Sequence, residues 1–440
     1  MPAFRWWEKE PGRLVVTNHP RDSALVESRL SNGRGLLADG GVSLSNVFSG
    51  DVPTSLLTMS TIGAGAARRG PAPALAALFV SPFGLTRALV LTVGEVLEEL
   101  HQARRRRLRG VEPRIRRGGS SAALRGVTNV LLRELTTYLV AVHLRSGAPS
   151  LYCDFVDYDE IAHHAGPTRP EALASLDGID RVLGTLEQVA KAAPRPYRFV
   201  VVSDHGQSQG ATFRQRYGLR LEDLVRQLMR TGAVEVGVAT HADEQRGRVG
   251  ARLAGLDAER PDLVVVASGN LAMIYFARVP GHLTVEEIDQ LHPRLLYGLA
   301  MHPGIGFVAV RSCTHGPLVL GAQGLHLLDD DSVEGADPLA PFGPRAADEL
   351  RRHLRLPHVG DIVVNSRLDA STGEVAAFEE LVGCHGGLGG RQSSAVLVHP
   401  AGWSVDRPLV GADAVHHQLV ARLERVGQRR RLRQVHRTAG

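Results

Sequence analysis

Lysine is almost missing from this chain. Lys9 and Lys191 are the only two among 51 basic residues, so arginine carries nearly all of the positive charge. A net charge of +5 built this way is a compositional bias, not a patch, and no specific nucleic-acid binding is expected from it. Cysteine is scarce as well. Cys153, Cys313 and Cys384 are isolated and form no C-x-x-C pair, which excludes a disulfide scaffold and points to a reducing compartment. The opening "MPAFRWWEKEPGR" lacks the apolar core of a secretory signal. There is no internal repeat and no low-complexity block. Nor is there a clean apolar run of about 18 residues, the length a membrane-crossing helix needs. The richest stretch, residues 72–97, is interrupted by Pro82, Arg87 and Glu95, and reads as a buried or interfacial helix.

What is present changes character along the chain. Residues 1–70 are rich in Gly, Ser and Thr and predict loops and small elements. Residues 71–147 read as a helical insertion, two long helices joined by an arginine-rich turn, "HQARRRRLRG" followed by "RIRRGG". That turn has two readings: a solvated basic connection, or a contact with an anionic membrane surface or another phosphate-rich partner. From residue 148 to about 410, strands and helices alternate. "SLYCDFV", "RFVVVSD", "DLVVVAS", "AMIYFAR", "GFVAVRS", "GPLVLGA", "DIVVNSR" and "SAVLVHP" read as strands, and "RPEALASLDGIDRVLGTLEQVAKAA" as a helix stopped near Pro194. Continuous apolar strands among helices predict an α/β fold whose sheet is buried on both faces. Residues 411–440 form a basic tail.

Three clusters carry chemistry. In "DYDEIAHHAGP", Asp159 and His163 are four apart and share one face if the segment is helical, a spacing suited to chelation. His164 is the alternative to His163. In "YRFVVVSDHGQSQG", residues Phe199 to Ser203 read as a buried strand ending in Asp204-His205-Gly206, where Gly206 would accept a positive φ at a sharp turn. In "LVGCHGGLGGRQ", His385 sits in a loop with little side-chain bulk. Two carboxylates and three imidazoles make a mixed oxygen and nitrogen donor set that suits zinc or manganese. Two such ions could clamp a phosphoryl group.

"DEIAHHAGP", "VVVSDHGQSQG" and "GCHGGLGG" together resemble the type I phosphodiesterase/nucleotide pyrophosphatase branch of the alkaline phosphatase superfamily, over about residues 150–400. The resemblance implies an alkaline-phosphatase-like doubly wound sheet and two divalent metal ions. Asp159, His163 and His385 would hold one ion, Asp204 and His205 the other. It also implies metal-dependent hydrolysis of a phosphate ester, a diester above all, through a hydroxyl that attacks phosphorus. Pieces such as "PAFRWWEK", "GRGLLADGG" and "PTSLLTMS" further resemble bacterial proteins in which a holin-like membrane segment precedes such a domain. That resemblance implies a cytoplasmic protein, or one peripheral on the inner membrane face, with membrane-anchored full-length relatives.

The family pattern opens with an Asp-Gly after its first strand, followed by a Ser or Thr nucleophile, and neither is evident ahead of Asp159. "LLADGG" offers an Asp-Gly after a short apolar piece, and Thr54, Ser55, Thr58 and Ser60 offer hydroxyls outside any recognisable nucleophile motif. The catalytic residues are therefore left unassigned, and the expectation is a chain that begins inside its domain. Two other outcomes stay open. One is a phosphomutase or sulfatase of the same superfamily. The other is a truncated or inactive, membrane-associated remnant that binds metal without turnover.

Overall fold

The computed structural model describes residues 1–62, 113, 119–229, 236–239, 261–405 and 408–429, with the backbone alone for 119–130 and 236. The apolar stretch 72–97, most of the arginine-rich turn and the last residues of the basic tail lie outside the described residues.

The fold is α/β around a large mixed sheet of eight strands. In spatial order these are Val333–Gly335, Gly324–Leu327, Gly316–Gly321, Ile305–Ser312, Ile362–Ser366, Leu271–Phe276, Leu263–Ser268 and Val236–Ala239. Six of the seven pairings are antiparallel, and only the last is parallel. The central strands are buried along their whole length, as their unbroken apolar sequences predict. Alternation sends their side chains into two cores. Val265, Ile274, Val308 and Val364 pack with the helices Leu221–Leu228, Val285–Leu291 and Leu295–Met301. Val264, Val266, Met273, Tyr275 and Val363 pack on the other face with Trp6 and Trp7 of the N-terminal hairpin and with the helix Ala346–Leu354.

A second, smaller layer carries the ends of interest. Val42–Leu44 pairs in parallel with Thr54–Leu56 on one side and Leu151–Cys153 on the other. Two helices, Gly119–Arg145 and Pro170–Lys191, cover it through Leu135, Leu139, Val140, Leu144 and Leu186. Both were legible from their apolar spacing and their stops at Gly147 and Pro194. The parallel strands all deliver their carboxyl ends to one edge, the place where ligands sit in such sheets.

One strand differs from its reading. Phe199 to Ser203 was expected to be a buried strand, but only Val201–Val202 is extended and paired, and its single partner is Leu397–Val398. None of the five residues is fully buried, and Val201 is 41% exposed. An apolar run shows that a segment could be buried. It does not show whether a neighbour covers each edge, and here only one edge is paired among the described residues. "LLADGG" likewise forms a turn and no strand.

Candidate metal centre

The site is built where three segments meet. The first is the helix Asp157–Ala165, which directly follows the strand Leu151–Cys153. Its sequence puts Asp157, Asp159 and Glu160 in the first turn and His163 and His164 in the last, which complements the helix dipole. An ion pair of 2.9 Å from Arg133 to Asp157 ties its start to the long helix beneath. The helical i,i+4 spacing does bring Asp159 and His163 together: the His163 Nε2 lies 3.3 Å from an Asp159 carboxylate oxygen.

The other two segments run antiparallel beside each other, residues 201–210 against 382–398. Val201–Val202 pairs with Leu397–Val398, and Ser208–Gln209 pairs with Gly383–Cys384. Between those pairs, the Ser203 amide donates to the Val396 carbonyl and the Gly206 amide to the Gln392 carbonyl. The chain around His385 bulges out of this ladder, so His205 and His385 face one another. Their rings stack at 3.5 Å between centroids, and His385 lies 5.0 Å from the His163 ring.

Two glycines make the approach feasible. A Cβ on Gly206 would stand 2.3 Å from the Arg391 carbonyl oxygen, and one on Gly383 would stand 2.3 Å from that of Ala162. Gly206 therefore serves close contact. The positive φ expected of it does not occur. Gly383 lets the strand end lie against the last turn of the helix Asp157–Ala165. There its carbonyl accepts from His163 Nδ1 at 2.8 Å, and the Val382 amide donates to the His163 carbonyl.

An Asp159 carboxylate oxygen and ring nitrogens of His205 and His385 all lie within 4.8 Å of one another. This grouping crosses the one that the family resemblance implies, because the stack on His385 draws His205 toward Asp159. Asp204 stands apart. Its carboxylate is 86% exposed, and among the described residues its hydrogen-bond and ion-pair contact is with its neighbour, an oxygen lying 3.4 Å from His205 Nε2. His164 turns toward Glu160, at 3.3 Å, rather than into the cluster.

The electrostatics are those of a crowded donor set. Burial raises the Asp159 carboxyl, but the His163 charge and hydrogen bond, then His385 and His205, outweigh it and hold the group well below the usual carboxylate range. Burial pulls His163 down, yet Asp159 and the Gly383 carbonyl lift it to about 9. His385 is pushed down to about 3 by burial and by the two neighbouring imidazoles.

Two further residues belong here that sequence reasoning missed. The Gln207 amide donates to the Asp159 carboxylate. Asp154 follows the strand Leu151–Cys153 as Asp204 follows Val202, and its carboxyl is raised to about 6 by lost hydration and then by the charges of Asp204 and Asp159. The signal for Asp154 was available, since an aspartate ending an apolar strand is the pattern that singled out Asp204. Of the four candidate hydroxyls, Ser60 is buried within the short helix Met59–Ile62 and Thr58 is buried just ahead of it, its Oγ1 turned to the Leu56 carbonyl at 3.4 Å. The Ser55 hydroxyl contacts that of Thr61 at 3.2 Å.

Residues 131–295 match the family model described as type I phosphodiesterase / nucleotide pyrophosphatase. The match includes Asp159, His163, Asp204 and His205 and stops short of His385. No curated protein matches the chain.

Proposed function

We propose that this chain is a metal-dependent hydrolase of phosphate esters, with a phosphodiester as its substrate. One observation carries the reading: Asp159, His205 and His385 present ligand atoms within 4.8 Å of one another. The donor set fits a divalent cation of the zinc or manganese kind, which takes imidazole nitrogen together with carboxylate oxygen. The surroundings fit as well. A ligating histidine commonly gives its other ring nitrogen to a carbonyl, and His163 does so toward Gly383. The match to the phosphodiesterase family over residues 131–295 supports the substrate class.

The family resemblance would place Asp159, His163 and His385 on one ion and Asp204 with His205 on a second, whereas the grouping seen here would put His205 with Asp159 and His385 on one ion, with His163 beside Asp159. When bound, the ions supply Lewis acidity toward a phosphoryl oxygen. The chain's own residues prepare that place. The Gly383 carbonyl fixes the His163 tautomer with its proton on Nδ1 and leaves Nε2 toward Asp159. Gln207 holds the Asp159 carboxylate in register. Asp204 stands in solvent, where an incoming ester would first meet the site.

Metal analysis of dialysed protein should find zinc or manganese near stoichiometry. His163→Ala, His205→Ala and His385→Ala should lower it, and His164→Ala should matter little because that ring faces Glu160. Protein that retains no metal above background would overturn the assignment. Turnover of a chromogenic phosphodiester with added zinc or manganese tests the activity. The exposure of Asp204 favours a second reading, a metal-binding protein without turnover; stoichiometric metal with no hydrolysis would select it. The proposed membrane contact of the arginine-rich turn is tested by flotation. Anionic liposomes should carry the protein, with each basic residue contributing about 1 kcal/mol. Equal binding to neutral vesicles would remove that contact.

A further inference from the structure

The loop that bears His385 is held by side chains that no metal would touch. Asn270, Asn365, Gln392 and Ser208 are all nearly fully buried, none above 3% exposed. They belong to four distant segments: the tip of the hairpin Leu263–Phe276, the strand Ile362–Ser366, the end of the loop itself and the strand Ser208–Gln209. Nearly all of their side-chain hydrogen bonds converge on residues 387–392; the exception is Asn365, which also donates to the Ser366 carbonyl at 2.9 Å. Asn365 accepts from the Leu388 amide at 2.8 Å and donates to the Leu388 carbonyl at 3.1 Å. Asn270 donates to that same carbonyl at 2.9 Å. Gln392 donates to Asn270 Oδ1 at 3.0 Å and to the Gly389 carbonyl at 2.7 Å, and it accepts from the Gly387 amide at 3.1 Å. Ser208 donates to the Gly389 carbonyl at 2.8 Å and accepts from the Gln392 amide at 3.2 Å.

Burying three amides and a hydroxyl is costly unless each is satisfied, and here both ends of each amide are. A glycine-rich loop with five glycines between residues 383 and 390 has no side chains of its own to fix it. Left free, it would populate many conformations, and few of them would hold His385 against His205. The hairpin tip adds a hard stop from beneath, since a Cβ on Gly269 would stand 1.9 Å from the His385 carbonyl oxygen.

We infer that Asn270, Asn365 and Gln392, joined by Ser208, are positioning residues for His385: a buried amide clamp that fixes the imidazole in the ligand cluster and thereby sets the affinity of the site for its cation. The consequence for affinity rests on the metal reading above. The positioning itself does not, and the two are read separately. The order in the loop comes from the large sheet, which otherwise contributes no residue to the cluster.

The experiment compares the full chain with Gln392→Ala and Asn365→Ala, and with Ser208→Ala as a milder change that leaves every amide in place. In metal-free protein, amide hydrogen exchange at Gly387 and Leu388 should speed up at least tenfold in the two amide variants. The proton resonances of the His205 and His385 rings, displaced by their stacking, should move toward ordinary imidazole positions. Zinc titration should then give an affinity 10- to 100-fold weaker than in the unmodified chain. Ser208→Ala should show the same changes, smaller in size. Unchanged ring resonances in a folded Gln392→Ala or Ser208→Ala protein would overturn the clamp. Loosened rings with unchanged zinc affinity would overturn its effect on binding. Absence of zinc binding by the unmodified chain, with the ring signature still lost in the variants, would overturn the metal reading and leave the positioning role supported.

Discussion

Asp154 is the residue whose chemistry is most clearly conditional. In metal-free protein its carboxyl is raised to about 6 by lost hydration and by Asp204 and Asp159, whereas an unfolded chain would titrate it near the ordinary aspartate value of about 4. The folded state therefore binds more protons than the unfolded one between those values, and stability falls as pH rises through that window. Asp154→Asn should flatten the fall. Thermal melts between pH 4 and 8 in the presence of a chelator should show the variant gaining on the unmodified protein as pH rises, and the gain should shrink once divalent cation is added. Identical profiles for the two proteins would show that neither burial nor the neighbouring carboxylates shift Asp154. The residues named from sequence, Asp159, His163, His205 and His385, were legible because each belongs to a short local motif: a helical i,i+4 pair, a strand terminus, a glycine-flanked histidine. Gln207 and the amide clamp were not, since nothing in the sequence near an isolated Asn or Gln says which distant loop it will meet.

At the scale of elements, the decisive contact is the ladder between residues 201–210 and 382–398. The apolar run at 199–203 was visible, but its pairing was not, and neither was the exposure that follows from being covered on one edge. Pattern in a single strand reports on faces; edges depend on partners remote in sequence. The ladder makes a definite demand at Gly206 and Gly383, where an added methyl would meet a carbonyl oxygen at 2.3 Å in each case. Overpacking of this kind costs about 1–3 kcal/mol. Gly206→Ala and Gly383→Ala should each lower the unfolding free energy by that order, seen as a lower denaturation midpoint. Gly383→Ala should also weaken metal retention, because it pushes the strand end off the helix that carries His163. A variant that keeps its full stability and its metal would mean that the two segments do not lie this close.

For the whole molecule, the two-sided core was readable from the apolar strands, while the mostly antiparallel strand order was not: both orders use the same residues, and the connections decide between them. A half-buried titrating group also lies outside the cluster. His353, in the helix Ala346–Leu354, is pushed down to about 4 by burial and then by Arg311 and other nearby cations. An unfolded chain would protonate it near 6.5. Here the unfolded state binds the extra proton, so the stability held above about 6.5 is lost as pH falls toward 4, the reverse of the trend at Asp154. The full difference corresponds to roughly 3 kcal/mol. His353→Gln should make the metal-free protein less sensitive to acid over that range, as followed by chemical denaturation at pH 7 and pH 4.5. An equal loss in both proteins would place the acid-labile group elsewhere. Among the described residues, no helix is long and apolar enough to cross a membrane.

The pairing of residues 201–210 with 382–398 also sets a timetable for the molecule's birth. Ser208 and Gln392 bond across 184 residues of chain, so the histidine pair cannot form while the ribosome is still making the large sheet between them. At 5–20 residues per second, roughly 10 to 40 s separate the emergence of one half of the site from that of the other. During that interval the helix Asp157–Ala165 can form from local contacts alone, whereas the loop closure that delivers His385 must await the last strands and bear their entropy. A nascent chain stalled before residue 385 should therefore present Asp159 and His163 without their partners, and any cation that the whole cluster takes would be captured by the finished chain rather than during its synthesis.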